Sequence, residues 1–175
     1  MFDFTTQNNI KEYKLLPTHL WAKDGFACGE NNPHGLHMKF YTDEKYIFSK
    51  VNLEKDKRGW DVIAHGGIQS TILDEVMAWA AIYITKKIVL TKNMSIEFKH
   101  SVIVDTDINA VGWITDQTKK EITLKSQLYD HKNILCAEAT GIYAIFSIKV
   151  AKKIHLMTEK SLNNFQTFMD ACHNA

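Results

Sequence analysis

The segment His65-Gly66-Gly67-Ile68-Gln69-Ser70-Thr71-Ile72-Leu73-Asp74-Glu75 holds residue types from which acyl chemistry can be built. Two adjacent glycines precede a long apolar run, so a loop becomes a helix there with no side chains to keep a ligand off the backbone. The first turn of a helix carries N–H groups without intrahelical acceptors, at the positive end of the helix dipole. A carbonyl oxygen held by the amides of Gly66 and Gly67 would be polarised, as an oxyanion site requires. Asp74 lies nine residues after His65, among Leu73, Val76 and Met77, so its carboxylate is expected in a largely dry setting. A carboxylate so placed serves as a general base or a nucleophile. The same residues also fit a plain tight turn followed by a solvated acid. Glu75 rivals Asp74, but neighbours on a helix point about 100° apart, so only one can face the glycine loop. Asp74 is favoured, and Glu75 is expected to support the loop or face a partner. Cys28, His34 and His37 are zinc-ligand types, but no fourth ligand accompanies them, so this stretch reads as a packed loop and no metal is expected.

These groups need elements to hold them. Gly25, Gly29, Pro33 and Gly35 punctuate a structured loop after an opening segment with Trp21. LHMKFY and KYIFSKVN, separated by Thr42, Asp43 and Glu44, read as a hairpin or two adjacent strands. IQSTILDEVMAWAAIYI reads as a helix by length and by its Leu, Met and Ala content. Ile68, Ile72, Leu73, Val76, Met77, Trp79, Ala80, Ile82 and Tyr83 leave it no wide polar stripe, so it must be wrapped on nearly every side. Beyond Lys87 the period becomes two, with Met94, Ile96 and Phe98 alternating with polar residues. DINAVGWIT, EITLKSQLYD and ILCAEATGIYAIFSI follow as three more strands, joined by short polar turns. Leu162, Phe165, Phe168 and Met169 mark a terminal amphipathic helix that Thr158 and Ser161 can cap. The order predicts an α+β fold, one buried helix inside a curled antiparallel sheet with an additional C-terminal helix. An exposed sheet edge invites pairing with a second copy, so a homodimer is the default.

The 175 residues suit one domain, read as an extension at 1–24, a core at 25–150 and a helical tail at 151–175. Lys plus Arg number 21 and Asp plus Glu 20, a net charge of +1 that provides no long-range field for nucleic acid or an anionic membrane. The start, MFDFTTQNNI, has neither a basic nor an apolar run, and the longest apolar stretch, Val76 to Ile84, is far short of the roughly 20 residues that cross a bilayer. Three widely spaced cysteines, Cys28, Cys136 and Cys172, fit a reducing compartment. A cytoplasmic protein is expected.

Three stretches resemble the hotdog-fold thioesterase superfamily, in the branch of the phenylacetate-pathway thioesterase and its mammalian relatives. GWDVIAHGGIQSTILDEVMAWAA resembles the family's His-Gly-Gly loop and central helix, LTKNMSIEFKHSV its following strand, and GFACGENNPHGLHMKF its entry segment. The resemblance runs from about Gly25 to Ile148 and implies an antiparallel sheet of five or six strands around the helix. It implies an acyl-CoA thioesterase without metal or redox cofactor, acting as a homodimer or homotetramer with its site across the subunit interface. Gly66, with Gly67 beside it, would hold the thioester oxygen, Asp74 of the other subunit would activate water or attack, His65 would orient the loop or the thioester rather than act as base, and Thr91 would hold water or the carboxylate. Met77, Trp79, Tyr83 or Trp60 would line the acyl pocket, and one or two of Lys86, Lys87, Lys92, Lys99 and His100 would meet the CoA phosphates. The chain departs from the pattern at Gly59, where some members carry Asn or Gln, at Asp61-Val62, where Pro-Gly is usual, at Gly25, which replaces a cysteine, and at Ser101, which replaces a common proline. A non-catalytic acyl-CoA binding protein on the same fold is the alternative. Hydratase or dehydratase chemistry is weaker, because its His and carboxylate patterns are missing.

Overall fold

The computed structural model describes residues 2, 4 and 13–173. Its centre is α1 (Gly66–Thr85), where Ile72, Leu73, Val76, Met77, Ala80 and Ala81 are all fully buried. Burying each larger side chain contributes about 1.5–3 kcal/mol, which explains how a helix without a polar stripe becomes the axis of the core. Lys86 ends it in the left-handed conformation, donating its N–H to Ile82.

An antiparallel sheet curls around this helix. Its strands are β1 (Lys14–Leu15), β2 (Phe40–Thr42), β3 (Ile47–Asn52), β6 (Ile88–Phe98), β7 (Asp107–Gln117), β8 (Glu121–Tyr129) and β9 (Leu135–Phe146), in the spatial order β1-β2-β3-β7-β8-β9-β6. The remaining strands, β4 (Arg58–Trp60) and β5 (Ile63–Ala64), form a separate small hairpin leading into α1. Two features exceed the sequence expectation: the sheet has seven strands because the short β1 joins β2, and the approach to the glycines is a hairpin rather than a plain loop. The apolar run expected to end as a strand at Ile148 turns instead into α2 (Ile148–Lys153), because Ser147 caps it by accepting from the Val150 N–H.

The inward face of β9 carries Ala137, Ala139, Gly141 and Tyr143, three small residues and one large. Small residues let the helix lie close. Gly112 on β7 marks the tightest approach, since a Cβ there would lie 2.4 Å from the Val76 carbonyl oxygen.

The far side of α1 is covered by the chain itself. Trp79 packs among Trp21, Phe40 and Phe168, with ring centroids 5.1–5.7 Å apart. Phe168 belongs to α3 (Glu159–His173), which buries Leu162, Phe165, Phe168 and Met169, the expected apolar stripe. Thr158 caps α3 by accepting from the Ser161 N–H, whereas the Ser161 hydroxyl receives the Trp21 indole N–H. On the outer face of the sheet, Phe48, Val111 and Tyr129 form a second apolar cluster with Phe4. One sheet edge, β6, is left without a neighbour among the described residues, and most of its residues are exposed. No helix among the described residues is long and apolar enough to cross a membrane.

Candidate active site

The hairpin β4–β5 delivers His65 to the start of α1, where it is the N-cap. Its Nδ1 accepts the Gly67 N–H at 2.9 Å, so in the neutral ring the proton sits on Nε2. This bond ties the His65 ring to the turn, and it has a cost for the expected pair of carbonyl-binding amides. The Gly67 amide is already spent on the cap and is not free to hold a carbonyl oxygen. Gly66, one residue earlier, has no acceptor for its N–H among the described residues. Of the two amides it alone stays open, at the positive end of a 20-residue helix. The Phe98 ring flanks it, with Cζ 3.5 Å from where a Gly66 Cβ would lie.

Gly59 has a packing role. A Cβ there would stand 3.2 Å from His65 Cα and 3.4 Å from His65 Cδ2, so glycine lets the hairpin close beneath the imidazole. The polar residue that some relatives carry at this position would press on His65.

Asp74 sits on the side of α1 that faces β6 and β9. Its Oδ1 accepts two hydroxyl protons, from Thr91 at 2.9 Å and from Tyr143 at 2.7 Å. The Tyr143 hydroxyl also lies 3.1 Å from the Asp74 carbonyl oxygen. Thr91 and Tyr143 are cross-strand partners, and the β6 register shifts just beyond Thr91, so one ladder position supplies both donors. Thr91 thus lies against the Asp74 carboxylate and donates to it. Tyr143 escaped the sequence reading because it lies in a run that reads as plain core strand. The available signal was a lone phenol inside such a run, since a buried Tyr hydroxyl usually has a partner.

Glu75 departs from expectation. It neither supports the glycine loop nor faces outward; its Oε2 accepts the Trp79 indole N–H at 3.0 Å, beneath the loop that carries Cys28. Burial pushes its carboxyl up from the ordinary 4.5 to about 7, with the Asp74 charge adding to the rise and the Trp79 bond opposing it. The fold thus favours protonated Glu75, and between about pH 4.5 and 7 the folded chain binds more protons than the unfolded one. Stability from this group is full below that window and is lost as pH rises through it. Glu75→Gln keeps an acceptor for Trp79 and removes the titration. The variant is expected to gain on the order of 2 kcal/mol over the parent at pH 8 and to match it near pH 4, as measured by urea unfolding at both pH values. Equal stability at pH 8 would contradict this placement.

The other expected residues are dispersed. Met77 is fully buried and packs toward Gly141, where a Cβ would meet its Cε at 3.1 Å, so it belongs to the protomer's core and not to an open acyl pocket. Trp79 and Tyr83 are also committed, Trp79 to Glu75 and Tyr83 by donating to the Glu44 carboxylate at 2.8 Å. Trp60, in contrast, is 80% exposed on the hairpin before His65. Lys92 pairs with Glu121. Lys99 pairs with Glu97 at 2.9 Å and Glu138 at 3.0 Å, which hold its ammonium above the usual range. His100 is exposed, its N–H bonded to the Cys136 carbonyl. Among the described residues no three His, Cys, Asp or Glu side chains are grouped to hold a metal ion.

The comparisons agree with this fold. The thioesterase superfamily profile matches residues 63–137, from β5 to the start of β9. No curated protein sequence matches the chain. Among solved structures, the Escherichia coli PaaI protein from the phenylacetic acid degradation operon superposes with a TM-score of 0.60 at 14% identity, over 64% of this chain and 81% of that one. A hypothetical thioesterase from Streptococcus pneumoniae with coenzyme A gives 0.56 at 14% identity, over 59% and 82%. A Streptococcus mutans protein bound to acetyl-CoA gives 0.57 at 15% identity, over 63% and 89%. An antiparallel sheet around one central helix, opened by a His-Gly-Gly turn, is the hotdog fold that these structures share, and residues 63–137 of the chain are similar to the thioesterase superfamily.

Proposed function

We propose that the protein is an acyl-CoA thioesterase of the PaaI-like branch, whose active site is completed by a second copy of the chain. The observation that carries this reading is the pairing of an open Gly66 amide at the start of α1 with an Asp74 carboxylate fixed through one oxygen. The amide holds the thioester carbonyl oxygen, and charge developing there is stabilised by the N–H and the helix dipole. Asp74 takes a proton from a water whose oxygen bonds to the carbonyl carbon, or attacks that carbon itself to form a mixed anhydride that water then hydrolyses to the free carboxylate. The carbon–sulfur bond breaks, and the CoA thiolate takes up a proton. Relatives of this fold solved with coenzyme A and with acetyl-CoA support the choice of ester.

One protomer cannot do this alone. Gly66 and Asp74 are eight residues apart on one helix, about 12 Å along its axis, whereas a carbonyl bound to an amide with water between it and a base spans only about 8 Å. A two-fold axis beside α1 and the open β6 edge brings the Asp74 of one copy to the Gly66 of the other. Exposed Phe98, beside this glycine, and exposed Trp60, on the hairpin that leads to His65, are then placed to contact the acyl group.

Asp74→Asn and Gly66→Val test both parts together. The space beside Gly66 accepts a Cβ at ordinary contact distance, so Gly66→Val is expected to fold and to lose about a hundredfold in kcat as its side chain crowds the amide. Refolding the two inactive variants together in equal amounts should restore about a quarter of parental activity, because half the dimers are mixed and each mixed dimer has one intact site. No recovery would place both groups in one subunit and sink the shared site.

A further inference from the structure

The functional reading rests on Asp74, but a carboxylate at a helix side can turn among several rotamers, and only some present an oxygen to a substrate. We infer that Tyr143 is the positioning residue that commits Asp74 Oδ1 to the protein and leaves Oδ2 to the reaction. This inference rests on the proposed thioesterase reading and deepens it.

Both hydroxyl bonds converge on Oδ1, and among the described residues no donor reaches Oδ2. The two donors are not equivalent. Thr91 is exposed on β6, where water competes for its bond, whereas Tyr143 is fully buried and its bond is the shorter, at 2.7 Å against 2.9 Å. A hydrogen bond to a charged acceptor in a shielded place is the stronger kind. The ring lies on the same inward face of β9 as Ala137, Ala139 and Gly141, and a phenylalanine would fill the same volume. Among the described residues the acceptors that the hydroxyl reaches are the Asp74 carboxylate and the Asp74 carbonyl, with the Thr91 hydroxyl beside it. Burial first, then the Asp74 charge, pushes the phenol's ionisation far upward, so it remains a donor at any working pH. Because Tyr143 also reaches the Asp74 carbonyl, it ties side chain and helix backbone to one strand position, fixing Oδ2 relative to the partner copy.

Tyr143→Phe tests this. Expected is a fall in kcat of about tenfold, the loss of one hydrogen bond to a charged group, with KM changed less than twofold. Tyr143→Phe added to Asp74→Asn should cost nothing further, because its effect passes through the missing carboxylate. An unchanged kcat, or an equal loss in the Asp74→Asn background, would overturn the inference and leave Tyr143 a packing residue. A crystal structure of Tyr143→Phe decides the matter without activity: Asp74 turned or divided between two conformers is expected, and Asp74 unmoved with Oδ1 still on Thr91 overturns it. A parent protein that releases no thiol would sink the thioesterase reading, while the crystal structure still decides the clamp.

Discussion

Asp74→Asn should abolish most turnover, lowering kcat by about 10²- to 10⁴-fold, the contribution of a positioned proton acceptor, while leaving the fold and CoA-ester binding intact. The carboxamide oxygen can occupy the place of Oδ1 and still accept from Thr91 and Tyr143, so the contacts that hold the side chain survive. What is lost is Oδ2, replaced by an amide nitrogen with no lone pair to take a proton or attack a carbon. The loss should therefore fall on kcat, with KM and thermal stability close to the parent. Titration calorimetry with a non-hydrolysable acyl-CoA analogue measures the binding half of this prediction. A variant within tenfold of parental kcat would remove Asp74 from the chemistry.

The second large effect concerns stability. At Gly112 a Cβ would lie 2.4 Å from the Val76 carbonyl oxygen, 2.6 Å from its carbon and 2.9 Å from the Met77 nitrogen. All three are backbone atoms of α1, which cannot move aside as a flexible side chain would. Gly112→Val must push the central helix off β7, at an expected cost of about 3 kcal/mol or more, which lowers Tm by about 10 °C for a chain of this size. Gly25→Ala is the control, because the nearest atom to its Cβ would be 3.5 Å away. Calorimetric melting of the two variants should separate them clearly. A Gly112→Val protein melting within 2–3 °C of the parent would mean that the helix does not rest on this strand as described.

How much of this was legible in the residues follows from how local each signal is. The central helix announced itself by an uninterrupted apolar segment, and the four following strands by period-two runs between short polar turns, because both depend on the side chains of one segment. The hairpin Arg58–Ala64 did not, since strands of three and two residues are too short to show a period. His65, Gly66 and Asp74 stood out because glycines before an apolar helix and an acid within it are unusual. The use of the Gly67 amide by His65 was hidden, because whether an imidazole turns back on its own helix is a matter of rotamer and not of residue type. Tyr143 and Glu75 were hidden for a third reason. Asp74 reaches Tyr143 across 69 residues by the fold alone, and although Trp79, which bonds Glu75, lies only four residues on, the burial that raises the Glu75 carboxyl is likewise supplied by the fold.

The most direct test of the whole account is free-thiol release, measured with the parent protein and Asp74→Asn side by side, from short, medium, long and aromatic acyl-CoAs. The account predicts that at least one ester yields a CoA thiol and a carboxylate in equal amounts with the parent, and that this release is lost with Asp74→Asn. Tight binding of the esters without thiol release from any of them would contradict it and make the protein a binder of acyl-CoA.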